Sequence, residues 1–174
     1  MRARPSPPRK LQQGDLCEGF CSGALERDDW LIRFAWQSQQ SHNSTTYVIF
    51  ADGRVVGYYA IAVASLFRQD VPLLVARNTT MQVPCLLLGR LAVDRTVQRM
   101  GYGKALLADA LQHAASLAES VGIRAVLVYA RDEAARRFYL SLAEFLLSPV
   151  DPLQLMLPVA DITHQPPAYR APLE

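Results

Sequence analysis

Hydrophobic and polar positions in the first half of the chain change from helical to alternating spacing. Over residues 24–40 apolar side chains recur every three or four positions and acids fall in the early turns, where the helix dipole favours them, so this segment predicts a helix. Two runs rich in β-branched and aromatic residues follow, over 46–51 and 55–64. Asp52-Gly53 between them suits a tight turn, which predicts an antiparallel hairpin.

In the second half of the chain, apolar strand runs alternate with amphipathic helices. The predicted strands are 84–93, 124–129 and 145–157, and the predicted helices are 102–121 and 132–142. Residues 65–83 predict a long loop or a broken helix, because Pro72 and the polar residues 78–80 interrupt any period. This order predicts an α/β (α+β) fold, a mixed central β-sheet flanked by helices, in a single domain over 14–162.

Composition adds two expected tails to this domain. With 174 residues, of which 51% are hydrophobic, the chain is long enough to build one continuous core. Residues 1–13 are basic and proline-rich and predict a disordered tail, and residues 163–174 predict an irregular C-terminal tail. No apolar stretch approaches the roughly 20 residues needed to cross a bilayer, and no signal peptide pattern is present. We therefore expect a cytoplasmic protein without membrane contact.

Cysteine spacing gives no indication of a metal site. Cys17 and Cys21 lack the second pair of Cys or His residues that would complete a zinc site. We expect no metal.

The segment Gln98-Arg-Met-Gly-Tyr-Gly103 lies between a predicted buried strand and the start of a long helix. Backbone N–H groups at a helix start have no partners inside the helix and form an anion site, and glycines let the backbone approach a diphosphate. Ala105 after Lys104 removes the hydroxyl that a P-loop needs for magnesium, and the third glycine of a Rossmann fingerprint is missing. A Gly-x-Gly before a helix also occurs in turns that only pack tightly, so the motif alone leaves both interpretations open.

The whole arrangement resembles the GNAT superfamily of acetyl-CoA-dependent N-acetyltransferases. Its signature, Gln/Arg-x-x-Gly-x-Gly/Ala between the fourth strand and the next helix, is matched by Gln98, Gly101 and Gly103. More narrowly, the chain resembles the aminoacyl-tRNA-acetylating toxins of bacterial type II toxin–antitoxin modules. The segments that carry this likeness are Phe20-Cys-Ser-Gly23, Asp28-Asp-Trp-Leu31, Gly57-Tyr-Tyr59, Leu88-Gly-Arg-Leu-Ala-Val-Asp94 and Phe138-Tyr139. The resemblance implies a GNAT fold over nearly the whole folded part.

The resemblance also implies which residues bind acetyl-CoA. The backbone of Leu91, Ala92 and Val93 is expected to contact the pantetheine and the acetyl carbonyl, with the Val93 N–H facing the oxyanion of the tetrahedral intermediate. The residues expected around the diphosphate are Gln98, Arg99, Met100, Gly101, Tyr102, Gly103 and Lys104, with charge from Arg99 and Lys104. Arg99 stands where close relatives often have glycine.

Tyr139 is the side chain to which the resemblance assigns the chemistry. In the family the tyrosine of the Phe-Tyr pair lies near the thioester sulfur and protonates the departing thiolate, a role compatible with a phenol of pKa about 10. The pattern alone favours Tyr139 as a core residue of an amphipathic helix. Relatives usually continue this helix into Gly-Phe, whereas this chain has Glu144-Phe145.

The substrate amine must be neutral to attack, and none of the three histidines, His42, His113 and His164, falls in the matched motifs. An α-amine titrates near ~8, and esterification lowers its pKa further, so aminoacyl-tRNA needs less help than a lysine near ~10.4. The resemblance points to the same substrate. Residues 77–137 contain nine basic residues against five acids. The candidates for contact with tRNA phosphates are Arg77, Arg90, Arg131, Arg136 and Arg137.

The resemblance further implies a homodimer and an antitoxin partner, usually linked to a ribbon-helix-helix DNA-binding part. Two alternatives remain at this point. One is a GNAT enzyme that acetylates a small amine or a protein N-terminus, and the other is a non-catalytic acetyl-CoA-binding module.

Overall fold

The computed structural model describes residues 4–163, which form a seven-stranded sheet with helices. The strands are β1 (Arg9–Lys10), β2 (Thr45–Ala51), β3 (Arg54–Phe67), β4 (Gln82–Val93), β5 (Ala125–Tyr129), β6 (Leu146–Leu147) and β7 (Gln154–Pro158). The helices are α1 (Leu25–Asp29), α2 (Ala35–Gln40), α3 (Leu73–Ala76), α4 (Tyr102–Ala118), α5 (Glu133–Leu142) and α6 (Val159–Thr163). A π-helical turn (Trp30–Phe34) joins α1 to α2, and 3₁₀ turns cover Arg68–Asp70 and Arg95–Val97.

The strand order is β1-β2-β3-β4-β5-β7-β6. β4 and β5 are parallel, whereas β5 and β7, β6 and β7, and β2 with both β1 and β3 are antiparallel. The predicted mixed sheet is therefore confirmed.

Within the described residues the chain divides into two compact units, 4–62 with 90–110 and 63–89 with 111–163. In the first unit the ring of Tyr58 is fully buried, stacked on Trp30 at 6.0 Å and edge-on to Phe20 at 5.6 Å. In the second unit Val75 of α3 and Met156 of β7 pack in one buried apolar cluster. Each unit thus has apolar packing of its own.

The predicted hairpin is present. Asp52 and Gly53 have φ angles of 52° and 74°, as expected where both central residues of a two-residue turn are left-handed. β3 continues to Phe67, beyond the predicted end at Ala64, because exposed Val63, Ser65 and Phe67 alternate with half-buried side chains at strand period. Part of the predicted loop is therefore strand.

The structure corrects the expected N-terminal disorder for part of 1–13. Arg9 and Lys10 pair with β2, and the backbone N–H of Ser6 donates to the Phe50 carbonyl at 2.8 Å. The Arg9 guanidinium binds Asp15 through two bonds of 3.0 Å and lies 4.3 Å from the centre of the Phe50 ring. Composition indicated disorder because basic residues and prolines are unfavourable in a core, but an edge strand needs only backbone bonds and surface contacts.

At the other end, Thr163 is the last residue of α6. The remaining part of the predicted irregular tail, 164–174, lies outside the described residues.

Candidate acetyl-CoA site

The carboxyl-terminal part of β4 extends beyond its pairing with β5. The last pair of these parallel strands is Leu88 with Val128, and β4 continues for five more residues to Val93. Along a strand, the N–H and C=O of successive residues point to alternate edges. The Asp94 N–H donates to the Val56 carbonyl of β3 at 2.8 Å, so Leu91 and Val93 direct their backbone groups to the opposite edge. We call this the free edge of β4, residues 89–93.

Two side chains donate hydrogen bonds to the carbonyl oxygens on this free edge. Arg27 of α1 donates through Nη1 to the Leu91 carbonyl at 2.7 Å, and Gln98 donates through Nε2 to the Val93 carbonyl at 2.9 Å. Since the acceptors are taken, the groups that Leu91 and Val93 present for a ligand are N–H donors. Preorganised donors of this kind stabilise the oxyanion that forms when a thioester carbonyl is attacked.

The resemblance placed Gln98 around the diphosphate, whereas the side chain of Gln98 donates to a protein carbonyl, that of Val93. Its amide also donates to the Ser22 carbonyl at 2.8 Å, so the side chain connects the glycine turn to β4 and to the segment before α1. Arg27 was not identified in the sequence, because its partner Leu91 is 64 positions away. Both side chains hold protein carbonyls, which leaves backbone N–H groups as the donors for a ligand.

The start of α4 is a second set of donors. The Gly101 carbonyl accepts the first intrahelical bond, from the Ala105 N–H at 3.0 Å, so the N–H groups of Tyr102, Gly103 and Lys104 have no acceptor within the helix. Gly101 has no side chain that could cap them, and it is exposed. By contrast, α5 begins at Asp132, whose carboxylate accepts from the Ala135 N–H at 2.8 Å. The α4 donors thus fit the negatively charged diphosphate of acetyl-CoA.

The turn before α4 has a backbone conformation that glycine adopts more easily than arginine. Arg99 has a φ of 63° and Gly101 a φ of 88°, so the backbone is left-handed twice within three residues. A side chain in this region costs roughly 1–2 kcal/mol, a cost that glycine avoids. The exposed guanidinium of Arg99 adds positive charge beside the α4 donors, as does exposed Lys104.

Asp94, immediately after the free edge, anchors this region. It is 2% exposed and accepts hydrogen bonds from Arg54 at 3.2 Å, from the Cys21 N–H at 3.0 Å and from the Thr96 hydroxyl at 2.7 Å. Burial by itself raises the pKa of Asp94, but the bonds from Arg54, Cys21 and Thr96 outweigh it and lower the pKa to about 2. The ionised carboxylate therefore fixes the end of β4.

In the second unit, α5 carries Tyr139, which is 5% exposed. Its ring lies edge-on to Phe138 at 5.2 Å and to Phe145 at 5.8 Å. Phe145, which follows Glu144, thus packs against the tyrosine. The aromatic contacts on both sides fix the direction of the ring.

The predicted phosphate-binding arginines belong to both units. Arg90 in the first unit stacks over the Trp30 ring at 4.3 Å. In the second unit Arg136 and Arg137 flank Glu133, at 3.1 and 3.8 Å from its carboxylate, and Arg131 is exposed just before α5. Arg77, also exposed, follows α3.

Across residues 4–163, no cluster of three or more His, Cys, Asp or Glu side chains could hold a metal ion. No helix within the same residues is long and apolar enough to span a membrane.

Comparison with known proteins defines the class. Residues 15–145 match the acetyltransferase (GNAT) family, and the chain belongs to this family. A tRNA-acetylating toxin of Mycobacterium tuberculosis is 43% identical over 156 residues, covering 90% of this chain and 93% of that protein. The fold, the sheet and the family together establish a single-domain GNAT protein that is an acetyl-CoA-dependent N-acetyltransferase.

Two solved structures of the toxin AtaT have the same fold. AtaT complexed with acetyl-methionyl-tRNAfMet has a TM-score of 0.83 and 24% identity, covering 91% of this chain and 97% of that chain. A Tyr-to-Phe mutant of AtaT bound to the C-terminus of the antitoxin AtaR and acetyl-CoA has a TM-score of 0.76 and 25% identity, covering 91% and 95%.

The low pKa of Asp94 predicts a pH-dependent contribution to stability. The folded pKa of about 2 lies below the ordinary 3.8, so the stabilisation is present above pH 3.8 and is lost as the pH falls through about 2. We expect Asp94→Asn to lower the free energy of unfolding by about 2 kcal/mol at pH 7 and by much less at pH 2. Urea unfolding at several pH values measures this, with Asp52→Asn at the exposed hairpin tip as the control. An Asp94→Asn loss that is the same at pH 2 and pH 7 contradicts the assignment.

The left-handed backbone at position 99 predicts an unusual order of stabilities. Arg99→Gly and Arg99→Ala remove the same charge, but only glycine relieves the strain. We expect the glycine variant to be more stable than the alanine variant by about 1 kcal/mol, and both to show a several-fold higher KM for acetyl-CoA. Thermal unfolding measures the difference in stability, and initial rates at varied acetyl-CoA concentration measure KM. An alanine variant at least as stable as the glycine variant would show that residue 99 is not left-handed in solution.

Proposed function

We propose that this enzyme transfers the acetyl group of acetyl-CoA to the α-amine of aminoacyl-tRNA and thereby arrests translation as a toxin. The observation that carries the proposal is the 43% identity to a tRNA-acetylating toxin along nearly the full length of both chains. The likeness to AtaT, solved with acetyl-methionyl-tRNAfMet, supports the fold that such a reaction uses. Acetylation of a small amine or a protein N-terminus has no comparable support.

In the proposed reaction the acceptor nitrogen attacks the thioester carbonyl, the attacking nitrogen releases one proton to water, the carbon–sulfur bond breaks, and the thiolate takes a proton. We assign the N–H of Val93 to the oxyanion, because its own carbonyl is held by Gln98 and the free edge of β4 then presents donors. Leu91 is assigned to the pantetheine. The expected backbone contact of Ala92 does not fit, because alternation along the strand turns the Ala92 backbone groups towards β3. The N–H groups at the start of α4, with Arg99 and Lys104, are assigned to the diphosphate. Met100, which is exposed within the same turn, is assigned to the diphosphate through its backbone N–H.

We assign to Tyr139 the proton that neutralises the departing thiolate. The support is the Phe138-Tyr139 pair and a ring whose direction is fixed by the packing of Phe138 and Phe145. The amine needs no protein base, because an α-amine of pKa near ~8 is partly neutral at physiological pH.

Charge around α5 supports a tRNA contact. Arg77, Arg131 and Arg137 are exposed on the second unit, whereas Arg136 is half-buried. Arg90 is the weakest of the predicted phosphate contacts, because its guanidinium is stacked on Trp30.

We further propose a homodimer and an antitoxin linked to a ribbon-helix-helix DNA-binding part. Large apolar side chains exposed between positions 63 and 81 support a protein contact there, for example Val63 at 85%, Leu73 at 84% and Met81 at 68% exposure. The complex of AtaT with the C-terminus of AtaR supports an antitoxin partner. A cytoplasmic location follows from the proposed substrates.

The Tyr139 assignment predicts the outcome of removing one oxygen. Tyr139→Phe keeps the packing against Phe138 and Phe145, so we expect its melting temperature and its affinity for acetyl-CoA to remain those of the wild type. We expect kcat for acetylation of aminoacyl-tRNA to fall by about 10²–10⁴-fold, as is typical when a general acid is removed, and growth arrest on expression to disappear.

Mass spectrometry of aminoacyl-tRNA after incubation with acetyl-CoA measures the reaction directly. Unmodified tRNA alongside arrested growth would make the substrate assignment wrong. Full activity of Tyr139→Phe would remove the tyrosine from the mechanism.

The assignment of basic residues predicts a change in salt dependence. For Arg131→Ala with Arg137→Ala, we expect weaker binding of aminoacyl-tRNA and a slope of log Kd against log salt that is smaller by about 0.7–0.9 for each phosphate that the variant no longer binds. Arg33→Ala is the matched control, because Arg33 is 69% exposed in the first unit and its pair with Asp29 is long, at 3.9 Å. Identical slopes for the double variant and the wild type would exclude these two arginines from phosphate binding.

A further inference from the structure

The carboxyl end of β5 carries a polar pair to which the mechanism has assigned no role. The first four residues of β5 are buried, whereas Tyr129, the last, is 45% exposed. Directly opposite Tyr129 on β7 is Gln154, which is only 4% exposed. The next three residues of β7, Leu155 to Leu157, are fully buried and apolar. Gln154 is therefore a polar residue at a position where the strand otherwise favours an apolar one.

Stability does not explain Gln154. Its Nε2 donates to the Tyr129 hydroxyl at 3.1 Å, while its Oε1 is buried and has no hydrogen-bond partner among the described residues. A buried polar atom left without a partner costs about 1–3 kcal/mol, more than one bond to a half-exposed hydroxyl returns. What the pair gains instead is a fixed direction for the hydroxyl of Tyr129.

The direction of this hydroxyl has a chemical consequence. A phenol has one O–H donor and lone pairs that accept. Because one lone pair receives the Gln154 N–H, the proton of the Tyr129 hydroxyl is not used in that bond. The O–H of Tyr129 can therefore donate to a ligand.

Tyr129 also lies where a ligand is expected. The pairing of the parallel strands β4 and β5 ends with Leu88 and Val128, so Tyr129 is the first residue of β5 beyond it. In open sheets, ligands bind outside the carboxyl ends of parallel strands.

We propose that the Tyr129 hydroxyl donates a hydrogen bond to the ester carbonyl of the aminoacyl acceptor and that Gln154 is the residue that positions it. This inference rests on the proposed function, since it needs an acceptor with a carbonyl next to its amine. A carbonyl oxygen only accepts, which matches the donor that Tyr129 presents. Donation to this carbonyl also withdraws electrons from the neighbouring α-amine, which favours its neutral, attacking form.

Kinetics of three variants with aminoacyl-tRNA and acetyl-CoA test the inference. We expect Tyr129→Phe to raise KM for aminoacyl-tRNA about tenfold, the loss of one hydrogen bond, with KM for acetyl-CoA unchanged. Gln154→Leu should raise the same KM about threefold without lowering the melting temperature, because it keeps the hydroxyl but removes the unpartnered Oε1. Since Gln154 acts through Tyr129, the double variant should equal Tyr129→Phe alone.

The matched control is Gln82→Leu, the same change at an exposed position of β4 in the same unit, which should leave both KM values unchanged. A KM for aminoacyl-tRNA within twofold of the wild type in Tyr129→Phe overturns the inference. If Tyr129→Phe does not fold, an unchanged KM in Gln154→Leu overturns it instead. Effects that multiply in the double variant refute the positioning role of Gln154. Failure of the wild type to acetylate tRNA would instead contradict the proposed function itself.

Discussion

Backbone N–H groups that the fold leaves without acceptors are the constraint on which the rest of this enzyme depends. A sheet strand normally exposes donors and acceptors alternately, so an unpaired edge has no preference for charge. Here Arg27 and Gln98 bind the carbonyls of Leu91 and Val93, which changes the free edge of β4 from mixed to donating. The start of α4 is donating as well, because Gly101 at its N-terminal cap has no side chain to accept hydrogen bonds from the first N–H groups of the helix. Thioester and diphosphate are both acceptors of hydrogen bonds, so one type of surface is suited to both parts of the co-substrate.

Such a surface needs support, because the pairing of β4 with β5 ends before it. Asp94 supplies part of that support, since its buried carboxylate binds Arg54 of β3, the Cys21 backbone and Thr96 of the following turn. Gln98 adds a second connection, to Ser22. The segment before α1 is thereby attached to the end of β4 at two points. The residues that present donors to the ligand are backbone groups, and the side chains nearby mainly hold that backbone in place.

Local signals predicted the local parts of this structure well. The hairpin at Asp52-Gly53, the α5 cap at Asp132 and the start of α4 depend on a few neighbouring residues, so the sequence could indicate them. The roles of Arg27 and Asp94 could not be predicted in this way, because their partners lie 64 and 73 positions away. The edge strand at Arg9 was missed for a related reason: composition describes what a segment can bury and contains no information on which open sheet edge is nearby.

The donating surface also bears on the choice of amine. Groups that only donate cannot take a proton from the substrate, and residues 89–104 contain no histidine, with Asp94, the one acid among them, held ionised by its own partners. This segment therefore offers no group that could deprotonate the amine, and the proposed reaction draws on the fraction of amine that is already neutral. At pH 7 that fraction is roughly 200-fold larger for an amine of pKa near ~8 than for a lysine near ~10.4. In the reaction proposed above, a surface that only donates therefore favours α-amines over lysines by their pKa alone, and esterification of the adjacent carboxyl increases this preference further.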